Sequence, residues 1–223
     1  MNIVPLEFSI VVVGQDCNPT ILNPDFLKYR GIVPQIWGWE LAGAIITTPA
    51  IAVVSYDSGV TVKVEKNRFQ VADQKVAANV AQSKAIDIAR SYIEVLPHVR
   101  YTAVGINFRS LVEMKEPDAF LKERFLSTGP WDQEQNPLLG VNLKFAYSYN
   151  DGRLNLSLEG GVAVRQKGEI SEELQGVFTY ANYHRDCQGY PTDQMVLAHI
   201  NKALSDEKHF DAFVKELLFG AAK

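Results

Sequence analysis

Val60, Val62 and Val64 alternate with Thr61, Lys63 and Glu65. A period of two sends the valines to one face of a strand and the polar side chains to the other. The same rhythm returns later, where Val141, Leu143, Phe145, Tyr147 and Tyr149 alternate with smaller or polar residues, and again at Leu154, Leu156 and Leu158. Asp57-Ser58-Gly59 and Asn150-Asp151-Gly152 supply turn chemistry inside these runs, and Lys66-Asn67 and Gly160-Gly161 offer further turns. Two meanders are therefore expected, at 45–72 and 141–165. Three more segments, 8–14, 101–108 and 177–184, are rich in β-branched and aromatic residues and read as strands ending in polar clusters. The first is almost continuously apolar, a pattern that suits a strand covered on both faces.

A period near 3.6 appears in two other places. Ala85, Ile86, Ala89, Tyr92, Ile93 and Leu96 recur at three and four residues and predict a helix over 80–96. Met195, Val196, His199, Ile200, Ala203 and Leu204 share one face of a first C-terminal helix. Phe210, Phe213, Val214, Leu217 and Leu218 share a face of a second, with Ser205 as its N-cap and Gly220 just past its end. The polar stretch 165–176 reads as a loop.

The two meanders hold register. Trp37 and Trp131 lie 94 positions apart (131 − 37), and the same offset relates Leu27 to Leu121 and Val60, Val62 and Val64 to Leu154, Leu156 and Leu158. Landmarks kept this closely argue for a partly duplicated strand–link–meander unit. The predicted fold is α+β: a mostly antiparallel sheet, covered by a helix near 80–96 and C-terminal helices near 192–219. The expected organisation is a single compact domain with an internal duplication, about 8–97 and 100–184, followed by a helical segment at 190–220. Trp37, Trp39 and Trp131 are read as core anchors beneath the meanders.

Composition narrows the function classes. At 223 residues, 47% hydrophobic and 22% charged, the chain has material for a substantial core and none of the signature of disorder. Its 26 acidic and 22 basic residues are interspersed, giving a net charge of −4 and no basic stripe to grip phosphates. Nucleic acid and membrane are therefore not expected partners, and the charged runs at 113–122 and 206–215 read as solvated helix faces. With no basic leader, no apolar run of about 18 residues and only Cys17 and Cys187, a cytoplasmic protein with free thiols is expected.

Candidate chemistry collects at two places. Asp16-Cys17 follows the first strand and His184-Arg185-Asp186-Cys187 ends the third. Cys17, His184 and Cys187 are the candidate metal ligands, since zinc takes thiolate and imidazole, although no Cys-x-x-Cys spacing accompanies them. As catalytic candidates, Cys187 would be a nucleophile with His184 or His98 as base and Asp186 beside it. Alternatively, His98 and Arg100, between the predicted helix and the second strand, would face a pocket with Asn107 and Arg109. Phosphate-loop and dinucleotide fingerprints are absent, so no cofactor is expected. The leading expectation is a non-enzymatic binding or assembly protein, self-associating or binding a protein partner through exposed meander edges, with any small-molecule ligand unidentified. The alternative is a small-molecule hydrolase or transferase built on the His, Cys and Arg residues just named.

Overall fold

The computed structural model describes residues 2–76, 79–167, 170–189 and 191–220. The strands are β1 (Ile3–Gln15), β2 (Ile46–Thr47), β3 (Ile51–Ser55), β4 (Val60–Glu65), β5 (Arg68–Asp73), β6 (Arg100–Glu113), β7 (Asn142–Tyr149), β8 (Gly152–Lys167) and β9 (Ile170–Asp186). The helices are α1 (Pro24–Tyr29), α2 (Ala85–Val95), α3 (Pro117–Phe125), α4 (Asp193–Ile200) and α5 (Ala203–Phe219). All nine strands form one sheet in the order β2-β3-β4-β5-β1-β6-β9-β8-β7, and every neighbouring pair is antiparallel. The fold is α+β.

The connectivity is the same on both sides of the β1–β6 seam. A long strand leads into a short helix and then a meander whose last strand returns to pair with the long one: β1 with β5, and β6 with β9. Val60, Val62 and Val64 on β4 and Leu154, Leu156 and Leu158 on β8 occupy the same place in each half, and all six are buried.

Period-two alternation builds one apolar face across the whole sheet. Across the seam Phe8 lies opposite Phe108, Ile10 opposite Ile106 and Val12 opposite Val104. Val71, Phe69, Tyr183 and Ala181 extend this face outward on either side, and all are buried. The helices bury their own stripes against it. Phe69 stacks on Tyr92 of α2 at 3.9 Å, and Phe108 stacks on Phe210 of α5 at 5.4 Å. The helix starts are tied in locally: Asn23 Oδ1 accepts the Phe26 N–H at 2.8 Å to cap α1, and Asp73 accepts from Ser83 at 2.7 Å, joining the end of β5 to the start of α2. Among the described residues no helix is long and apolar enough to cross a membrane.

Several details differ from the sequence reading. β1 is covered by helices on one face only; Val11 and Val13 on the other are half-buried, because a central strand also gains shelter from tall neighbours. Gly160-Gly161 does not turn. β8 runs straight through it, and the stretch read as a loop instead forms the outer parts of β8 and β9, paired out to Lys167 opposite Ile170. Among the described residues the two strands pair only with each other beyond Glu159 and Gly176, and the alternation that marks the inner strands fades there. Gly168 and Glu169 in that stretch, and Tyr190 at the start of the C-terminal segment, lie outside the described residues. α5 begins two residues before the expected cap, and the Ser205 hydroxyl donates back to the Lys202 carbonyl at 2.8 Å. Trp37 and Trp39 pack partly buried on the core, whereas Trp131 is 50% exposed.

Candidate functional site

β1 and β9 run parallel to each other on either side of antiparallel β6, so Cys17 and Cys187 do reach the same end of the sheet. Both thiols are buried on the helix side. Burial raises the pKa of the Cys17 thiol, and burial together with the Asp186 charge pushes Cys187 up to about 11. A thiol held protonated is a poor nucleophile. His184, one residue out of phase with Tyr183 and Arg185, turns to the opposite face, where its Nε2 lies 3.0 Å from the exposed Asp186 carboxylate. His98 and Arg100 are exposed at the turn from α2 to β6. The strand period thus separates His184 from Cys187, and the candidate constellations are not assembled. Among the described residues no group of three or more His, Cys, Asp or Glu side chains could hold a metal ion.

What the fold does assemble is a different polar cluster. Arg185, 1% exposed, points among the helices and makes a two-pronged pair with Asp206 of α5, Nη1 to Oδ2 at 2.8 Å and Nη2 to Oδ1 at 2.7 Å. Its Nε donates to Asp151 in the β7–β8 turn at 3.0 Å, and Lys202 donates to the other oxygen of the same carboxylate. Burial works to raise the Asp151 pKa, but the hydrogen bonds from Lys202 and Arg185 outweigh it and hold the carboxyl at about 2. Asp206, within the charged run expected to form a solvated helix face, is instead buried, because Arg185 needs a buried counter-charge. Two carboxylates and two cations make a neutral network, sealed at Arg185 and Asp206 but reaching solvent at Lys202 and Asp151, 40% and 38% exposed.

His199 of α4 borders this network. It is 8% exposed, its Nδ1 lies 3.4 Å from Asp151, and neither ring nitrogen has a hydrogen-bond partner among the described residues. Burial lowers its pKa below the usual 6.5; Asp151 opposes the shift while Lys202 and Arg185 reinforce it. Below pH 6.5 the unfolded chain therefore binds a proton that the folded chain refuses, so this stabilisation is present above pH 6.5 and is lost as pH falls towards the folded value. Glu207 and Asp211, raised by burial, act in the opposite sense, contributing stability at acid that fades as pH rises through their folded values. His199→Gln isolates the histidine. Urea midpoints at pH 7.5 and 5.5 should show the native chain losing stability at acid relative to the variant, and parallel behaviour of the two would refute the assignment.

Two surfaces remain open. The first is the sheet face opposite the helices. Over its centre lies a shallow depression of about 500 Å³ across β1, β6, β9 and β8, reached at one side by Gln70 of β5. Across its floor Asn155 Nδ2 donates to Asn182 Oδ1 at 3.1 Å, Asn182 Nδ2 donates to Asn107 Oδ1 at 2.7 Å, and Asn107 Nδ2 reaches the Ser9 carbonyl at 3.3 Å. Arg109 lies over the rings of Phe178 and Tyr180, at 5.6 and 5.3 Å, and the Tyr180 hydroxyl donates to Glu159 at 2.8 Å.

The second surface is an edge. β2, at one end of the sheet, is two residues long, a common way to blunt an edge. β7, at the other end, is eight residues long and pairs only with β8; among the described residues its outer side makes no backbone hydrogen bond. A two-residue connection to β8 makes Tyr149 and Gly152 a hydrogen-bonded pair, so Asn142, Lys144, Ala146 and Ser148 direct their N–H and C=O groups outward. Leu143, Phe145, Tyr147 and Tyr149 lean towards the helices, half-buried, with Phe145 against Phe125 at 5.7 Å and Tyr147 against Phe213 at 5.0 Å. The sequence suggests a pocket holding Asn107 and Arg109 with His98 and Arg100; the structure sets the first two in the depression on the sheet face, which the other two do not line. The open edge is foreshadowed only as an exposed meander edge. The chain matches no protein-family model and no curated protein sequence.

Proposed function

We propose that the protein works without catalysis, as a binding protein that assembles by pairing two copies edge to edge through β7. The carrying observation is the long unpaired edge with its outward row of amide and carbonyl groups. A two-fold axis normal to the sheet requires paired residues to share a face, so the register must sum to an even number. Centring it on Ala146 sets Lys144 opposite Ser148, Phe145 opposite Tyr147 and Leu143 opposite Tyr149. Centring on Lys144 would oppose like charges directly, which is unfavourable. In the favoured register the outward residues fall at hydrogen-bonded positions, giving about six new backbone bonds. The aromatic pairs fall at the non-bonded positions, where side chains approach most closely. Leu139, 84% exposed just before the strand, and Phe219, 44% exposed beside Phe120, would add the apolar area that two strands alone lack. The buried, unpaired thiols Cys17 and Cys187 fit a reducing, cytoplasmic setting.

Ala146→Pro tests this directly. Proline removes an outward N–H without touching the β8 ladder, and edge strands tolerate it. Sedimentation velocity should find the native chain dimeric and the variant monomeric, with melting temperatures a few degrees apart at most. A native chain that stays monomeric at about 100 µM, a hundredfold above a typical micromolar Kd, would sink the proposal.

A further inference from the structure

We infer that the bare face of the sheet carries a recognition site for a neutral, hydroxyl-rich ligand, a short saccharide, seated on the ladder of Asn155, Asn182 and Asn107. Recognition there goes beyond pairing at β7 and does not depend on it, since the depression is framed by strands of one copy.

The ladder is more than a solvated strand surface. At the matching place in the other half stand Thr61, Ala72 and Ser9, where no side-chain amide is present and the Thr61 hydroxyl pairs with that of Ser55 at 3.0 Å. Around the amides charge is scarce. Among the described residues Glu7 and Arg109 are the only charged ones lining the depression, and their signs cancel. Arg109 is further engaged on the faces of Phe178 and Tyr180. An anion or a cation would meet one attractive and one repulsive group, whereas a neutral ligand meets neither penalty.

The three amides are fixed in orientation and only partly used. Asn155 and Asn182 each spend one N–H within the ladder and keep the other; about four carbonyl lone pairs remain over the three residues. A sugar hydroxyl both donates and accepts, so adjacent hydroxyls match an amide that does the same. Because the amides already hold one another, little side-chain freedom is lost on binding. Gly105 makes the arrangement fit: a Cβ there would stand 2.7 Å from Asn182 Nδ2. A volume of about 500 Å³ lies in the range of small-ligand sites, and the shallow shape points to millimolar affinity.

The test follows the side-chain amide signals of Asn107, Asn155 and Asn182 in 1H–15N spectra during titration with maltose, cellobiose and lactose. Each is taken to about 50 mM, well above a Kd of about 1 mM, with a neutral Gly-Ser tripeptide in a parallel arm. At least one disaccharide should shift these signals saturably. Asn182→Ala and Gly105→Ala should each weaken that binding about tenfold, equivalent to the loss of one or two hydrogen bonds. Gly105→Ala displaces only the flexible end of Asn182, so it keeps the test meaningful should Asn182→Ala misfold. No saturable shift with any disaccharide, equal shifts in both variants, or a response to the tripeptide alone would each overturn the proposal. A monomeric chain that still binds the sugar would sink only the pairing at β7.

Discussion

Asp206→Ala is expected to lower folding stability by about 3–5 kcal/mol, because it leaves the Arg185 guanidinium charged in a site where it is 1% exposed. Asp151 cannot substitute for the lost partner; it contacts only Nε and already shares its charge with Lys202. Urea denaturation at pH 7.5 reads the effect as a drop in midpoint with little change in slope. The double variant Arg185→Met with Asp206→Leu removes both charges from the apolar interior and should recover most of the loss. Stability within about 1 kcal/mol of the native chain after Asp206→Ala would mean that water reaches the guanidinium, as at a surface pair.

Phe108→Ala should cost a similar amount, about 3–5 kcal/mol, by a different mechanism. Phe108 stands where the two halves and α5 meet: it stacks on Phe8 at 5.5 Å across the seam and on Phe210 at 5.4 Å, and meets Tyr183 edge-on at 5.7 Å. Three aromatic rings on three different elements cannot all relax into the space left by one, so a cavity persists. Phe108→Leu keeps most of the volume and should lose less than half as much. Thermal and urea unfolding of both variants check the ranking, and equal losses would argue that aromatic stacking outweighs volume.

The strands that face a common interior were legible because alternation leaves a mark in the sequence. Val60–Val62–Val64 and Leu154–Leu156–Leu158 announce both their faces and their turns. The outer parts of β8 and β9 were not legible, since their sequence lacks that alternation. The start of α5 was misplaced because Ser205 has the right side chain for a cap yet sits inside the first turn. Site chemistry was harder still. His184 and Cys187 are neighbours in sequence but belong to opposite sides of the sheet, a distinction that a one-residue phase change decides. The partners that matter lie far apart: Arg185 meets Asp206, and Asn107 meets Asn182, contacts that depend on strand order rather than local pattern. Arg185 carried one faint signal. A charge at an inward-facing strand position, in phase with Tyr183, demands a buried acid somewhere in the chain.

The seam between β1 and β6 has a consequence for synthesis on the ribosome. β1 emerges before its partners and can close against β5 once Asp73 is out, but its other side waits for β6. At 5–20 residues per second, the interval between the two long strands is roughly 4–20 s, against microseconds for a hairpin to form. A nascent first half therefore displays the open flank of a Val-rich strand for seconds at a time. Neighbouring ribosomes on one message would carry identical flanks, which makes crowding on polysomes a hazard for this chain and early chaperone cover an advantage.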